Sequence, residues 1–242
     1  MALSFSLPNY TSILVKGVDS EKLLQGQISC DLALNKSYFD GLFCDEKGYI
    51  ITNAVIIKDD FFTIIVKKSV SKFLKAELEK FAKFFNCEIS EVNQTIYGEY
   101  ENKVFKKHLG KKGFQETNIE WDFQTMKNFC FDIEEQHSNK FRINELGYNF
   151  KDYISYDKGC YRGQEIIARL TYLGKKVKKA VVFNNAIESI SDSSGKKIGK
   201  KILEIQSKKF NLTQFFVEEN EYYHEGKKII PVSSQWEQDQ DL

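Results

Sequence analysis

Residues 38–66, "YFDGLFCDEKGYIITNAVIIKDDFFTIIV", constrain the fold more than any other stretch. Three β-rich runs are separated by two turn clusters, at 45–48 and 58–60, a spacing that predicts an antiparallel meander. The following segment, "SVSKFLKAELEKFAKFFN", sets Val70, Phe73, Leu74, Leu78, Phe81, Phe84 and Phe85 three and four residues apart. That spacing predicts an amphipathic helix lying on the sheet, with its lysines on a solvated face. Ahead of the meander, "SILVKGV" reads as a strand, and Asp19 is the expected N-cap of a short helix that follows it.

Beyond the helix, "CEISEVNQTIYGEY" and "KNFCFDIEE" read as further strands, while residues 101–121 carry no clear pattern. Strands alternating with packed helices argue for an α+β class. After Gly174 short β runs are punctuated by Gly, Asn and Ser, which predicts a small all-β, barrel-like module. The expected domains are therefore 1–174 and 175–242, with the tail "SSQWEQDQDL" frayed at the end.

Charge and cysteine usage exclude several functions. Thirty-five basic against 34 acidic residues leave a net charge of +1, so any nucleic-acid contact must rest on a local patch, such as the lysines within 175–179 and 196–201. No apolar run reaches the length of a membrane span and no secretory leader is evident, so the expected compartment is the cytoplasm, with no membrane partner. Cys30, Cys44, Cys87, Cys130 and Cys160 are an odd, widely spaced set, neither a disulfide framework nor a metal knuckle, and read as reduced thiols. His108, His137 and His224 are all remote in sequence from Cys160, the cysteine that could need a base, and no glycine-rich phosphate loop is present.

One cysteine has a distinctive setting. In "KGCYRGQEIIARLTYLG", Cys160 lies two residues from both Lys158 and Arg162, just before a helical stripe formed by Ile166, Ile167, Leu170 and Leu173. Gly163 precedes that helix, which is expected to start near Gln164 and to end at Gly174. A helix N-terminus and nearby cations favour thiolate, which makes Cys160 the candidate functional thiol. Glu165 and Arg169 form an i,i+4 pair, read either as a surface ion pair or as a ligand or partner contact.

The run "KGCYRGQE", with "AR" and "YLGK" after it, resembles the signature of the YgfZ folate-binding family, a branch of the glycine-cleavage T-protein superfamily. Three earlier stretches fit in order: "LLQGQISCDL" at 23–32, "CDEKGYI" at 44–50 and "FRINELG" at 141–147. One departure is that only "NELGYNFKDYISYD" separates the last of these from the cysteine loop, where the family has a longer, proline-containing segment. The resemblance implies a T-protein-like fold, with ferredoxin-like α+β units, a terminal β-barrel and a site for tetrahydrofolate. It also implies an accessory role toward iron–sulfur cluster proteins and tRNA modification. Cys160 would be the functional thiol and a transient iron–sulfur ligand, with Lys158, Tyr161, Arg162, Gly163, Gln164, Glu165 and Arg169 shaping its site. Gln25, Gln27 and Asp31 either face the folate pocket or merely cap a helix and its turn. The partners implied are folate, iron–sulfur assembly or client proteins, and tRNA. The alternatives are a folate-dependent one-carbon transferase and a tRNA-binding module.

Overall fold

The computed structural model describes residues 3–113, 117–173 and 178–238. Strands β1 (Leu3–Ser6) and β2 (Tyr10–Lys16) lead into a short helix, α1 (Ser20–Gln25). The expected meander follows as β3 (Tyr38–Cys44), β4 (Ile50–Lys58) and β5 (Phe62–Lys67), then the long helix α2 (Lys68–Ala82) and β6 (Glu88–Val92). These strands form an antiparallel five-stranded sheet in the order β3-β4-β5-β2-β6. Val70, Leu74 and Leu78 of α2 bury against Ile13, Ile56, Ile64 and Val66 on one face, as the three-and-four spacing requires. Phe84 departs from the expectation: it lies past the helix end and is 82% exposed. Asp19 holds the N-cap position of α1 as expected, but its carboxylate makes no capping bond; it accepts from Asn86 N (2.8 Å) and ties the start of α1 to the chain beyond α2.

β7 (Ile96–Glu101) and β8 (Val104–Leu109) make a hairpin that β1 completes as a three-stranded sheet. Its two-residue turn, Asn102 and Lys103, has positive φ at both positions, the geometry that matches strand twist. Trp121 of α3 (Asn118–Lys127) lies flat over Gly98, where a Cβ would sit 2.4 Å from the indole ring. Only glycine fits there.

Segment 127–135 is a correction: no strand forms within it. Phe131 and Ile133 are buried, but Phe129 has φ 55°, and the main-chain groups bond back to the end of α3 or to side chains rather than to a ladder. Ile133 N donates to Asn53 Oδ1 (2.9 Å), and Tyr148 Oη donates to Phe131 O. Between them, Asp132 collects Tyr10 Oη (2.6 Å), Lys107 Nζ (2.6 Å), Asn53 Nδ2 (2.9 Å) and Trp121 Nε1 (3.3 Å). Burial pushes its carboxyl up, but Lys107 and Tyr10 outweigh this and hold it below the usual range.

Three short helices follow, α4 (Ile143–Leu146), α5 (Phe150–Tyr153) and α6 (Gln164–Leu173). The Gly174 helix end expected from the sequence lies outside the described residues. The C-terminal part contains β9 (Lys179–Asn184), β10 (Ile190–Ser191), β11 (Lys197–Ile198), β12 (Lys200–Gln206), β13 (Asn211–Val217), β14 (Tyr222–His224), β15 (Lys227–Ile229) and β16 (Ser233–Ser234). They form two four-stranded sheets, β12-β13-β9-β16 and β11-β10-β14-β15, rather than one closed barrel among the described residues. Val181, Phe183, Phe215 and Tyr222 fill the space between them. The opposite face of the first sheet, with Ala180, Val182, Leu212 and Phe216, joins the core that holds Leu42, Ile143, Leu146 and Ile167. The tail is ordered further than expected: Gln235 starts a last short helix, α7 (Gln235–Gln238), and bonds to Gly147 O (2.6 Å) and Ala180 N (2.8 Å).

Candidate functional site

The thiol loop is held by main-chain carbonyls. Lys158 is only 8% exposed, and its Nζ donates to Gln25 O (2.9 Å), Ile28 O (2.6 Å) and Cys30 O (2.8 Å). Three acceptors match the three N–H bonds of an ammonium, which is how a buried cation is tolerated. Desolvation nevertheless pushes Lys158 down to about 8, against the opposing pull of Cys30 and Asp31. Further bonds close the seam: Arg162 N to Gly26 O (3.1 Å), Ser155 N to Ser29 O (3.0 Å), Asp31 N to Ser155 Oγ (3.0 Å) and Ser29 Oγ to Tyr153 O (2.6 Å).

On the other side of the loop lies the β3–β4 turn. Gly163 has φ +83°, and a Cβ there would fall 2.6 Å from Asp45 O. Asp45 builds the turn by accepting from Lys47 N (2.9 Å) and Tyr49 N (2.8 Å). Segment 141–147 reaches the same turn through Ile50 N to Phe141 O (2.9 Å) and through the Arg142 guanidinium, 4.8 Å from the Tyr49 ring centre. Four stretches far apart in sequence, 23–32, 44–50, 141–147 and 158–169, therefore form one junction.

Cys160 is exposed, whereas Cys30 and Cys44 are buried and Cys87 and Cys130 half-buried. Burial pushes all four of those thiols up, Cys30 to about 12. The two cations expected to sit beside Cys160 are committed elsewhere. Lys158 fills the carbonyl cage, and Arg162 spans Glu46 (2.7 Å) and the buried Glu77 (2.8 Å) while lying over the Phe81 ring. Arg162 and Lys80 hold Glu77 below the usual carboxylate range although burial opposes them. Tyr161 is buried, and its N–H donates to Gln164 Oε1 (3.1 Å), which closes the start of α6. Glu165 and Arg169 bond each other (2.7 Å) on the exposed face of α6, 76% and 63% open to solvent.

Gln25 and Asp31 are likewise partners, with Gln25 Oε1 also accepting from Leu32 N (2.9 Å). The Gln25 bond holds Asp31 below its ordinary range. Gln27, half-buried beside them, has no side-chain hydrogen bond among the described residues. Sequence reasoning missed Ser29, Glu46, Glu77 and Ser155, which hold the loop through side-chain contacts 85 to 124 positions apart and leave no local signal. It also missed Asp40 of β3. That carboxyl has neither a hydrogen bond nor an ion pair among the described residues, and burial pushes it up to about 6. Among the described residues, no three His, Cys, Asp or Glu side chains gather closely enough to hold a metal ion, and no helix is long and apolar enough to cross a membrane.

Proteins named tRNA-modifying protein YgfZ match this chain at 26% identity in Photobacterium profundum, over 70% of this chain and 66% of the relative, and in Escherichia coli O157:H7, over 70% and 68%. The chain is similar to the YgfZ proteins. An uncharacterized protein of Haemophilus influenzae is 27% identical over 76% of this chain and 74% of its own length. No family model matches the chain. Among solved structures, the glycine cleavage system aminomethyltransferase T of Bartonella henselae superposes with a TM-score of 0.62 at 15% identity, covering 97% of this chain and 85% of its own. The fold is T-protein-like. The junction is built from the four stretches that carry the YgfZ resemblance in sequence.

Proposed function

We propose that this chain is a folate-binding accessory protein that supports tRNA modification by maintaining iron–sulfur enzymes, with Cys160 as its working thiol. The observation that carries this reading is the junction: an exposed cysteine is presented where the four resembling stretches meet. The YgfZ names of the relatives and the T-protein-like fold support it. In this reading residues 1–174 hold the folate and the thiol loop. Residues 175–242, with their two sheets, are the barrel-type module of that fold. The protein works in the cytoplasm, with tRNA-modifying iron–sulfur enzymes as clients.

The chain's own residues suit a folate. A pterin ring presents an edge of N–H donors, and an acceptor left without a donor is its complement. Asp40 is a half-buried carboxyl with no hydrogen-bond donor among the described residues; Tyr38 shares its face of β3, and Tyr153 on α5 lies within its electrostatic reach. Asp40 would take the N–H edge, the tyrosines would line the ring, and Gln27, whose amide is uncommitted, would take a polar group of the tail. Gln25 and Asp31 keep each other in place and shape that wall. A bound tetrahydrofolate supplies a carrier for one-carbon units.

Cys160 would meet a client's cluster or metal as a soft thiolate ligand, a transient contact for which exposure is required. Tyr161, Gly163 and Gln164 set the loop's shape, Lys158 and Arg162 anchor it, and the Glu165–Arg169 pair marks the surface a client would approach. The test is complementation of cells lacking their own protein of this kind, read as iron–sulfur enzyme activity and the tRNA modifications that depend on it. Cys160→Ala is expected to fail while Cys87→Ala succeeds; support by Cys160→Ala equal to that of the wild type would overturn the reading.

A further inference from the structure

Gln25 closes α1, and Ile28 and Cys30 lie in the loop that leads from it to β3, yet their three carbonyl oxygens converge on a single point. Oxygens aimed at one centre repel one another unless a cation lies among them. That cation is Lys158, which belongs to a loop more than a hundred residues later and stands two positions before Cys160. The shape of segment 25–31 therefore depends on the thiol loop, and the thiol loop's position depends on segment 25–31.

We infer that Lys158 is a positioning residue that couples segment 25–31 to the Cys160 loop, so that an event on one side is felt on the other. The clamp itself stands on geometry. Its use, as a link between folate near Gln27 and the thiol, rests on the function proposed above. An ammonium is required because its three N–H bonds spread in three directions, whereas the planar fork of an arginine cannot reach three converging carbonyls. The neighbouring bonds from Arg162 N to Gly26 O and from Ser155 N to Ser29 O carry the same coupling along the seam. Coupling of this kind is reciprocal.

The test is amide hydrogen exchange on the full chain. In Lys158→Ala, exchange is expected to rise ~10-fold in both 25–31 and 158–163, with α3 and β13 unchanged. Propylammonium, which replaces the deleted arm and its three N–H bonds, is expected to restore both segments. Tetramethylammonium, which has no N–H, restores neither. In the wild type, alkylation of Cys160 with N-ethylmaleimide is expected to raise exchange at 25–31, an effect that disappears in Lys158→Ala. A rise confined to 158–163, equal restoration by the two ammonium ions, or no effect of alkylation at 25–31 would each overturn the inference. Should Lys158→Ala fail to fold, Lys158→Arg carries the same readout, and wild-type exchange in both segments of that variant would overturn it. Tetrahydrofolate is the separate arm. If it does not bind the wild type, the folate reading fails while the exchange results still decide the clamp; if it binds and leaves Cys160 alkylation unchanged, the coupling fails.

Discussion

Two buried lysines show two ways for a protein to keep a cation out of water. Lys107 pairs with Asp132, whose carboxylate is also bonded by Tyr10, Asn53 and Trp121, so side chains from five segments satisfy one another. Lys158 meets no carboxylate among the described residues and instead holds main-chain carbonyls in place. The first arrangement welds sheets and helix α3 together and leaves nothing free to act. The second fixes the backbone on either side of an exposed thiol. Full satisfaction among side chains thus marks architecture here, and backbone clamping marks the place where an exposed thiol is presented.

The largest effect is expected at the weld. Asp132→Ala leaves Lys107 buried without its partner and should cost about 3–5 kcal/mol in urea unfolding. A loss under about 1 kcal/mol would mean that the network is not the structural half of the comparison. Next comes the seam: Gly163→Ala combines positive φ with a contact 2.6 Å from Asp45 O. It should cost about 1–3 kcal/mol and increase exchange around 45–48, where a purely local effect of φ would leave that turn untouched.

Asp40 inverts the sign. Its folded carboxyl lies at about 6 against an ordinary 3.8, so the native state holds that proton more tightly than the unfolded chain does. The stability this contributes is present below about pH 4 and is lost as the pH rises through 6. Asp40→Asn should therefore stabilise the protein by on the order of 2 kcal/mol at pH 7, with the gain vanishing near pH 4, while weakening folate binding. Equal stability of the two proteins at both pH values would show that Asp40 has a donor after all. The smallest effect belongs to Glu165→Gln on the open face of α6, a few tenths of a kcal/mol at most in the same unfolding assay.

Periodicity made much of the fold legible. The meander turns, the α2 stripe and the start of α6 near Gln164 all follow from residue spacing, because each is dictated by neighbours a few positions away. Phe84 shows the limit of that logic, since it continues the stripe after the helix has stopped. Segment 127–135 has the composition of a strand, but its polar groups are claimed by Asn53, Tyr148 and the Asp132 cluster, which are distant in sequence. The β7–β8 turn uses Asn102 and Lys103 instead of the Asn-Gly pair that signals such hairpins. At the candidate site, the motif pointed to the loop around Cys160 but not to the partners its cations bond. Charges adjacent in sequence look like a common field around the thiol, yet Lys158 and Arg162 are each drawn to deeper partners that no local pattern reveals.

The central claim is that a T-protein-like scaffold binds folate beside a clamped, exposed thiol. It is tested most directly by anaerobic calorimetric titration of the wild-type protein with tetrahydrofolate. Saturable binding at one site per chain is the predicted result, weakened in Asp40→Asn and retained in Cys160→Ala. Absence of saturable binding to the folded wild type would contradict the account.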